Sequence, residues 1–224
     1  MVSPVLLVSL LLVASCVPTA AVPGPLAHPE AASARVEPFP YPAVWTTASN
    51  QSLAGDRSGS VSNLFTRLEV IGRYPAGLLV RCSVCEVVLE GVVDEATVLT
   101  TALPPGIAAW GTLSEFLLSI RQAAERRDLG ALRSVMARDF TFAFLGVQTP
   151  ETALVVWRAE EFRDLDLLPD LLDRGVASID GRIWSAPTAF VTDPSFRGLR
   201  FGVQRRPDGR WEWLYLIRGI GSDR

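Results

Sequence analysis

Few side chains in this sequence can carry chemistry. Among 224 residues there is one histidine, His28, in a Pro/Ala-rich stretch near the N-terminus, and all 21 basic residues are arginine. A folded region without His or Lys cannot build a Ser-His-Asp or Cys-His nucleophile system, a P-loop, a Schiff-base site or a His-ligated metal centre. Carboxylates, tyrosine, arginine and the pair Cys82-Ser83-Val84-Cys85 are what is left. In a regular strand, residues i and i+3 point to opposite faces, so a bond inside this C-x-x-C needs a tight turn at Ser83-Val84. The runs Leu78-Leu79-Val80 and Val87-Val88-Leu89 allow such a turn between paired strands. A thioredoxin-type motif opens a helix, which this β-branched neighbourhood does not offer. A zinc half-site would need a second pair from another chain, and Glu86 stands where c-type haem attachment needs histidine. Structural disulfide, unpaired buried thiols, and redox or metal use stay open for the pair. No residue pattern calls for a cofactor or defines a metal site.

The elements that must position these groups are best read backwards from the last strand pair. Leu199–Arg205 and Trp211–Ile217 fold back at Arg206-Pro207-Asp208-Gly209-Arg210. Pro presets φ and Gly takes the left-handed position, which predicts a type I turn closed by a Gly bulge. With Arg206 facing Arg210, Arg205 lies opposite Trp211, Val203 opposite Trp213, Phe201 opposite Tyr215 and Leu199 opposite Ile217. One face is then a ladder of large apolar pairs, each worth roughly 0.2–1 kcal/mol over an Ala pair, and it needs a cover. Upstream, Thr112 and Glu115 predict a capping box for an amphipathic helix carrying Leu113, Phe116, Leu117, Ile120 and Ala124. Asp128 can cap a second short helix that buries Leu129, Leu132, Val135 and Met136. Phe140, Phe142 and Phe144 alternate as a strand stopped at Gly146. Thr149-Pro150-Glu151 starts a helix continuing through Leu154, Val155, Trp157, Glu161 and Phe162. A helix from about Asp166 to Arg174 is capped by Gly175. A strand around Ile179–Trp184 and an irregular stretch through Ala186-Pro187 and Asp193-Pro194 lead into the closing hairpin.

Composition divides the chain into four parts. Residues 1–21 read as an export segment, and residues 22–62, rich in Pro, Ala and Ser, as a tether with little regular structure. Within it, Phe39-Pro40-Tyr41-Pro42 is either a polyproline II ligand or, more simply, a piece lying on its own domain. Residues 63–104 form a small β-rich segment, with strands at Leu64–Ile71, Gly77–Cys82, Cys85–Val93 and Thr97–Thr101. Residues 107–224 read as an α+β domain with helices packed on a curved antiparallel sheet. With 49% hydrophobic and 20% charged residues, the chain can bury one good core. A net charge of −3 with scattered arginines gives no electrostatic reason to expect nucleic acid.

Val5 to Val17 is an apolar run of 13 residues broken only by Ser9 and Ser15. It is too short for a bilayer-spanning helix and suits a signal-peptide h-region. Its end, Val13-Ala14-Ser15-Cys16, resembles the lipobox of bacterial lipoproteins. That resemblance implies acylation of Cys16, a membrane partner through the lipid anchor, and a place in the bacterial cell envelope. Ordinary cleavage near Ala20 or Ala21 and an uncleaved anchor are the other readings, and all three point to the envelope. With Cys16 acylated, Cys82 and Cys85 are left as an even pair in an oxidising compartment, which favours a disulfide between them.

The order of elements, two helices, a strand, more helix and antiparallel strands ending in an aromatic hairpin, resembles the NTF2-like cone, in which a curved sheet wraps a long first helix. The carriers are the helix Leu113–Arg127, the strand entry Asp139-Phe140-Thr141-Phe142 and the stretch Gly209-Arg210-Trp211-Glu212-Trp213, all within residues 107–224. The resemblance implies a superfamily of enzymes, scaffolds and ligand-binding modules. In its enzymes a carboxylate or Tyr inside the cone does proton chemistry. The corresponding positions here are Asp139, Glu161 and Tyr215, with Trp157 as pocket wall and Arg158 as charge partner. A turn role for Asp139 and core roles for Trp157 and Tyr215 are the simpler readings. The leading functional expectation is a membrane-tethered, non-catalytic binding or interaction module whose partner is an envelope protein or a small apolar ligand. A second is a small enzyme doing proton transfer on an apolar substrate, which requires an open pocket with Asp139 or Glu161 inside it. A third is structural contact with peptidoglycan or an envelope protein through Arg200, Arg205 and Arg218.

Overall fold

The computed structural model describes residues 37–100, 103–143, 148–178, 180–193 and 195–219. The expected export segment, the lipobox with Cys16, His28, and the strand end at Phe144 and Gly146 lie outside these residues.

Seven strands come first: β1 (Ala43–Thr46), β2 (Gln51–Arg57), β3 (Gly59–Val61), β4 (Leu64–Tyr74), β5 (Gly77–Cys82), β6 (Leu89–Val93) and β7 (Val98–Thr100). Their lateral order is β3-β2-β6-β5-β4-β1-β7, with antiparallel neighbours. The expectation of a tether with little regular structure through residue 62 therefore fails from Ala43 onward. All four residues of β1 are buried, so the strand lacks the in-out alternation that marks a one-sided sheet. In sequence such a short run beside prolines passes for loop. The strand predicted from Cys85 also begins later, at Leu89, which pairs with Cys82.

The helical part opens with α1 (Leu113–Glu125), whose capping box forms as the sequence predicts. Thr112 N donates to Glu115 Oε2 at 2.7 Å, and Glu115 N donates to Thr112 Oγ1 at 3.2 Å. Next come α2 (Leu129–Arg133), β8 (Met136–Thr141), α3 (Pro150–Ala159), α4 (Arg163–Asp166), α5 (Leu168–Asp173), β9 (Arg174–Val176), β10 (Ile183–Ala186), α6 (Thr188–Thr192), β11 (Leu199–Arg205) and β12 (Trp211–Arg218). Several predicted boundaries shift: α3 ends at Ala159, short of Glu161 and Phe162, β8 ends at Thr141, short of Phe142, and the strand expected around Ile179–Trp184 is β10. Val135 and Met136 are buried, but they lie beyond α2, and Met136 opens β8. The helix expected over 166–174 is α5, preceded by the separate short α4, and Gly175, at φ +88°, stands directly after the C-cap Arg174 as predicted while also belonging to β9. The stretch after Pro187 contains α6.

A second sheet has the order β10-β11-β12-β8, with β8 parallel to β12 and the other pairs antiparallel. β9 links it to the first sheet. Leu64 and Thr66 of β4 pair with Val176 and Arg174, while Ala177 bridges to Ser185 of β10. One apolar core draws on both sheets, taking Trp45 and Phe65 from the first and Phe201 and Trp213 from the second. Helix α1 is covered on most of its circumference, with Phe116, Leu117, Leu118 and Ile120 all fully buried. Each such side chain contributes about 1.5–3 kcal/mol over an exposed one. A smaller core lies within the first sheet, built from Val44, Leu53, Leu68, Leu78, Val80 and their neighbours.

A buried charge ties these layers. Asp173, at the end of α5, accepts from Arg121 Nε at 2.7 Å and Nη2 at 3.0 Å, and from Trp45 Nε1 at 3.0 Å. Arg67 Nε of β4 approaches the same carboxylate at 3.8 Å. The Arg121 guanidinium also lies over the Trp45 ring, 5.1 Å from its centre.

The closing hairpin keeps the predicted register near its turn, Arg205 opposite Trp211 and Val203 opposite Trp213, and then departs from it. Gly202 faces Tyr215, so Leu214 is the extra residue of a bulge, and beyond it Phe201 faces Leu216 and Leu199 faces Arg218. Gly202 permits this arrangement. A Cβ there would lie 2.1 Å from Tyr215 Cζ, so the ring occupies space that only glycine leaves.

Candidate functional site

The residues singled out for proton chemistry do not form a buried site. Asp139 is exposed on β8, and Glu161 is exposed in the turn after α3 at φ +54°. Arg158 is exposed at the end of α3. Tyr215 is half-buried, its hydroxyl 2.9 Å from Ser185 Oγ. Burial pushes its phenol pKa up, while the Ser185 hydrogen bond and the Arg200 charge pull the other way. Trp157 packs as core. Its ring lies 6.0 Å from Phe140 and 5.7 Å from Trp213, and Trp213 in turn lies 5.0 Å from Phe140 and 5.7 Å from Phe201. Neither carboxylate meets the condition of lying inside an open pocket beneath the hairpin.

The arginines expected to offer an outward contact are engaged within the fold. Arg218 Nε donates to Asp164 Oδ1 at 2.6 Å. Arg200 donates to the Phe196 carbonyl and lies over the Phe190 ring at 4.4 Å. Arg205 donates to the Gly209 carbonyl at 3.0 Å and covers Trp211.

Cys82 and Cys85 are joined by a disulfide, with Cα atoms 5.5 Å apart. It ties the first half of the loop between β5 and β6 back to the end of β5. Cys82 is fully buried in the smaller core, and Val87 and Val88, just before β6, are exposed.

A different group of residues forms a hollow of about 500 Å³ beside the hairpin turn. Its charged lining is Arg133, Arg138, Arg206, Arg210, Glu151 and Glu212. Each comes from a well-defined element: Arg133 ends α2, Arg138 lies on β8, Glu151 opens α3, and the other three flank or follow the turn. The turn itself is closed by Arg206 N donating to Arg210 O at 2.8 Å and Gly209 N donating to Arg206 O at 2.9 Å. Arg133 donates through Nε and Nη2 to one oxygen of Glu151, at 2.7 and 2.5 Å. That contact holds the Glu151 carboxyl below the usual range. Arg210 Nη2 donates to the Ser134 carbonyl at 2.5 Å. Arg206 has looser partners, Glu212 at 3.5 Å and Asp208 at 3.6 Å. Glu212 also accepts from Gln204 at 2.5 Å. Arg138 is exposed and has no acidic partner among the described residues. Four guanidiniums against two lining carboxylates, with Asp208 of the turn also beside Arg206, leave the cleft positive on a chain that is negative overall. Two of its four arginines were visible in the turn sequence Arg206-Pro207-Asp208-Gly209-Arg210. Their meeting with Arg133 and Arg138 depends on the parallel pairing of β8 with β12, which no local pattern encodes.

Among the described residues no group of three or more His, Cys, Asp or Glu side chains is placed to hold a metal ion, and no helix is long and apolar enough to cross a membrane. No family model, curated protein or solved structure matches this chain.

Proposed function

We propose that this chain is an exported protein of the bacterial cell envelope, acylated at Cys16 and held at a membrane, whose folded part is a non-catalytic binding module. The observation that carries the non-catalytic part is the filled interior. Phe140, Trp157, Phe201 and Trp213 pack ring against ring where a cone enzyme needs its pocket, and Asp139 and Glu161 lie on the surface. The NTF2-like reading of residues 107–224 is part of the proposal. It is supported by a first helix buried on most sides and by four strands ending in the aromatic hairpin. The anchor reading is supported by the apolar run and the Val13-Ala14-Ser15-Cys16 sequence. It is tested by fractionating bacteria that express the chain and its Cys16→Ala variant. The wild type should sediment with membranes and take up labelled fatty acid, and the variant should do neither. A variant that stays with the membrane, beside a wild type that takes up no fatty acid, would sink the lipoprotein part.

A further inference from the structure

We infer that the arginine cleft beside the hairpin turn binds a phosphate group. A guanidinium matches a carboxylate edge to edge in one plane, whereas the tetrahedral oxygens of a phosphate can accept from several guanidiniums at once. Within the cleft both carboxylates already have an arginine beside them. Glu151 takes Arg133, and Glu212 lies nearest Arg206. Arg138 and Arg210 are left with donors to spare, Arg138 with no acid beside it and Arg210 with one nitrogen committed to the Ser134 carbonyl. Arg138 comes from β8 and Arg210 from the hairpin turn, so a ligand with oxygens in more than one direction suits both. Arg210 is held by its Ser134 contact and by the closed turn, so little freedom is lost when it binds. The excess positive charge draws an anion in, and the buried Val135 and Met136 line the same hollow.

The ligand is a phosphate ester, either a free small monoester or a phosphodiester within a surface polymer. The inference rests on the binding-module reading and not on the anchor, so fractionation and titration can fail separately. The test is calorimetric titration of the full chain, purified in a nonionic detergent, with glycerol 2-phosphate, with poly(glycerol phosphate) and with sodium acetate at matched ionic strength. Both phosphate probes should bind saturably, more weakly as salt rises, and acetate should bind far less. Arg138→Gln and Arg210→Gln should each weaken phosphate binding about tenfold, while Arg210→Lys, which keeps the charge but not the fork, should fall between. Arg57→Gln, an exposed change on β2, should leave binding unaltered. Tighter binding per phosphate by the polymer assigns the diester source, and tighter binding of the monoester assigns the small one. Acetate binding as tightly as phosphate, or wild-type affinity in Arg138→Gln, overturns the inference. Since Arg138 is exposed and unpaired with any described acid, that variant should fold normally.

Discussion

Substituting Asp173 should disturb this fold more than any surface acid. Its carboxylate is side-chain-exposed by only 9%, and Arg121 by 13%, so neither charge can turn to water when its partner is removed. Deleting one member of such a buried pair typically destabilises by about 3–5 kcal/mol, because the other charge is left unpaired. Here the lower end applies, since Glu125 still lies 2.7 Å from Arg121 on its exposed side. Asp173→Asn should therefore lose about 3 kcal/mol, which at roughly 2–4 °C per kcal/mol for a chain of this size lowers the melting temperature by about 6–12 °C. Asp173→Ala also strands the Trp45 indole N–H and should lose about a further 1–3 kcal/mol. The paired replacement Arg121→Met with Asp173→Leu strands the same indole N–H but removes both charges and fills the space, so it should destabilise less than Asp173→Ala. Urea denaturation followed by circular dichroism, with unchanged slope across the series, measures all three. A loss under 1 kcal/mol for Asp173→Asn, or a paired variant less stable than Asp173→Ala, would refute the argument that this charge is held in the joint between α1, α5 and the first sheet.

Other expectations follow from the same geometry. Tyr215 has its pKa raised above the unfolded value near 10, so the fold favours the neutral phenol. Its contribution is complete below the unfolded pKa and is lost as pH rises through the folded one, and Tyr215→Phe should flatten the fall in stability measured above about pH 10. Gly202→Ala should lose about 1–3 kcal/mol by pushing the Tyr215 ring off the bulge, and adding Tyr215→Ala should recover part of that loss in the same denaturation assay. The Cys82–Cys85 bond closes a very short loop, so its reduction should lower stability by only about 2 kcal/mol. Iodoacetamide should label neither cysteine in the intact chain before reductant is added.

Much of the helical half could be read directly, because its signals are local. Thr112, Asp128 and Thr149 each cap the helix their spacing predicted, and the turn at Arg206 to Arg210 sets the register of its nearest pairs. The register was lost at Gly202, where the absence of a side chain invites a ring from the opposite strand and one residue is left over. Strands β1 to β3 were missed for another reason. They are short, β1 is buried throughout and β2 is interrupted by Gly55, so neither shows sustained alternation against its Pro-rich and Ser-rich surroundings. Asp173 and Arg121 are separated by 52 residues, and nothing local foretells that they meet. A signal was present in α1, where Arg121 follows the fully buried Ile120 and precedes the buried Ala123 and Ala124. A cation at such a place calls for an acid nearby. The C-x-x-C was correctly seen to need a turn, but the loop is longer than expected because Val87 and Val88 stand in solvent instead of extending β6.

The central proposal, a binding module held at a membrane by Cys16, is tested most directly by the mass of the N-terminal peptide from chain purified out of bacterial membranes. The account predicts a chain beginning at Cys16 and carrying acyl groups. A lipid-free terminus near Ala20 or Ala21, or an intact Met1, would contradict it.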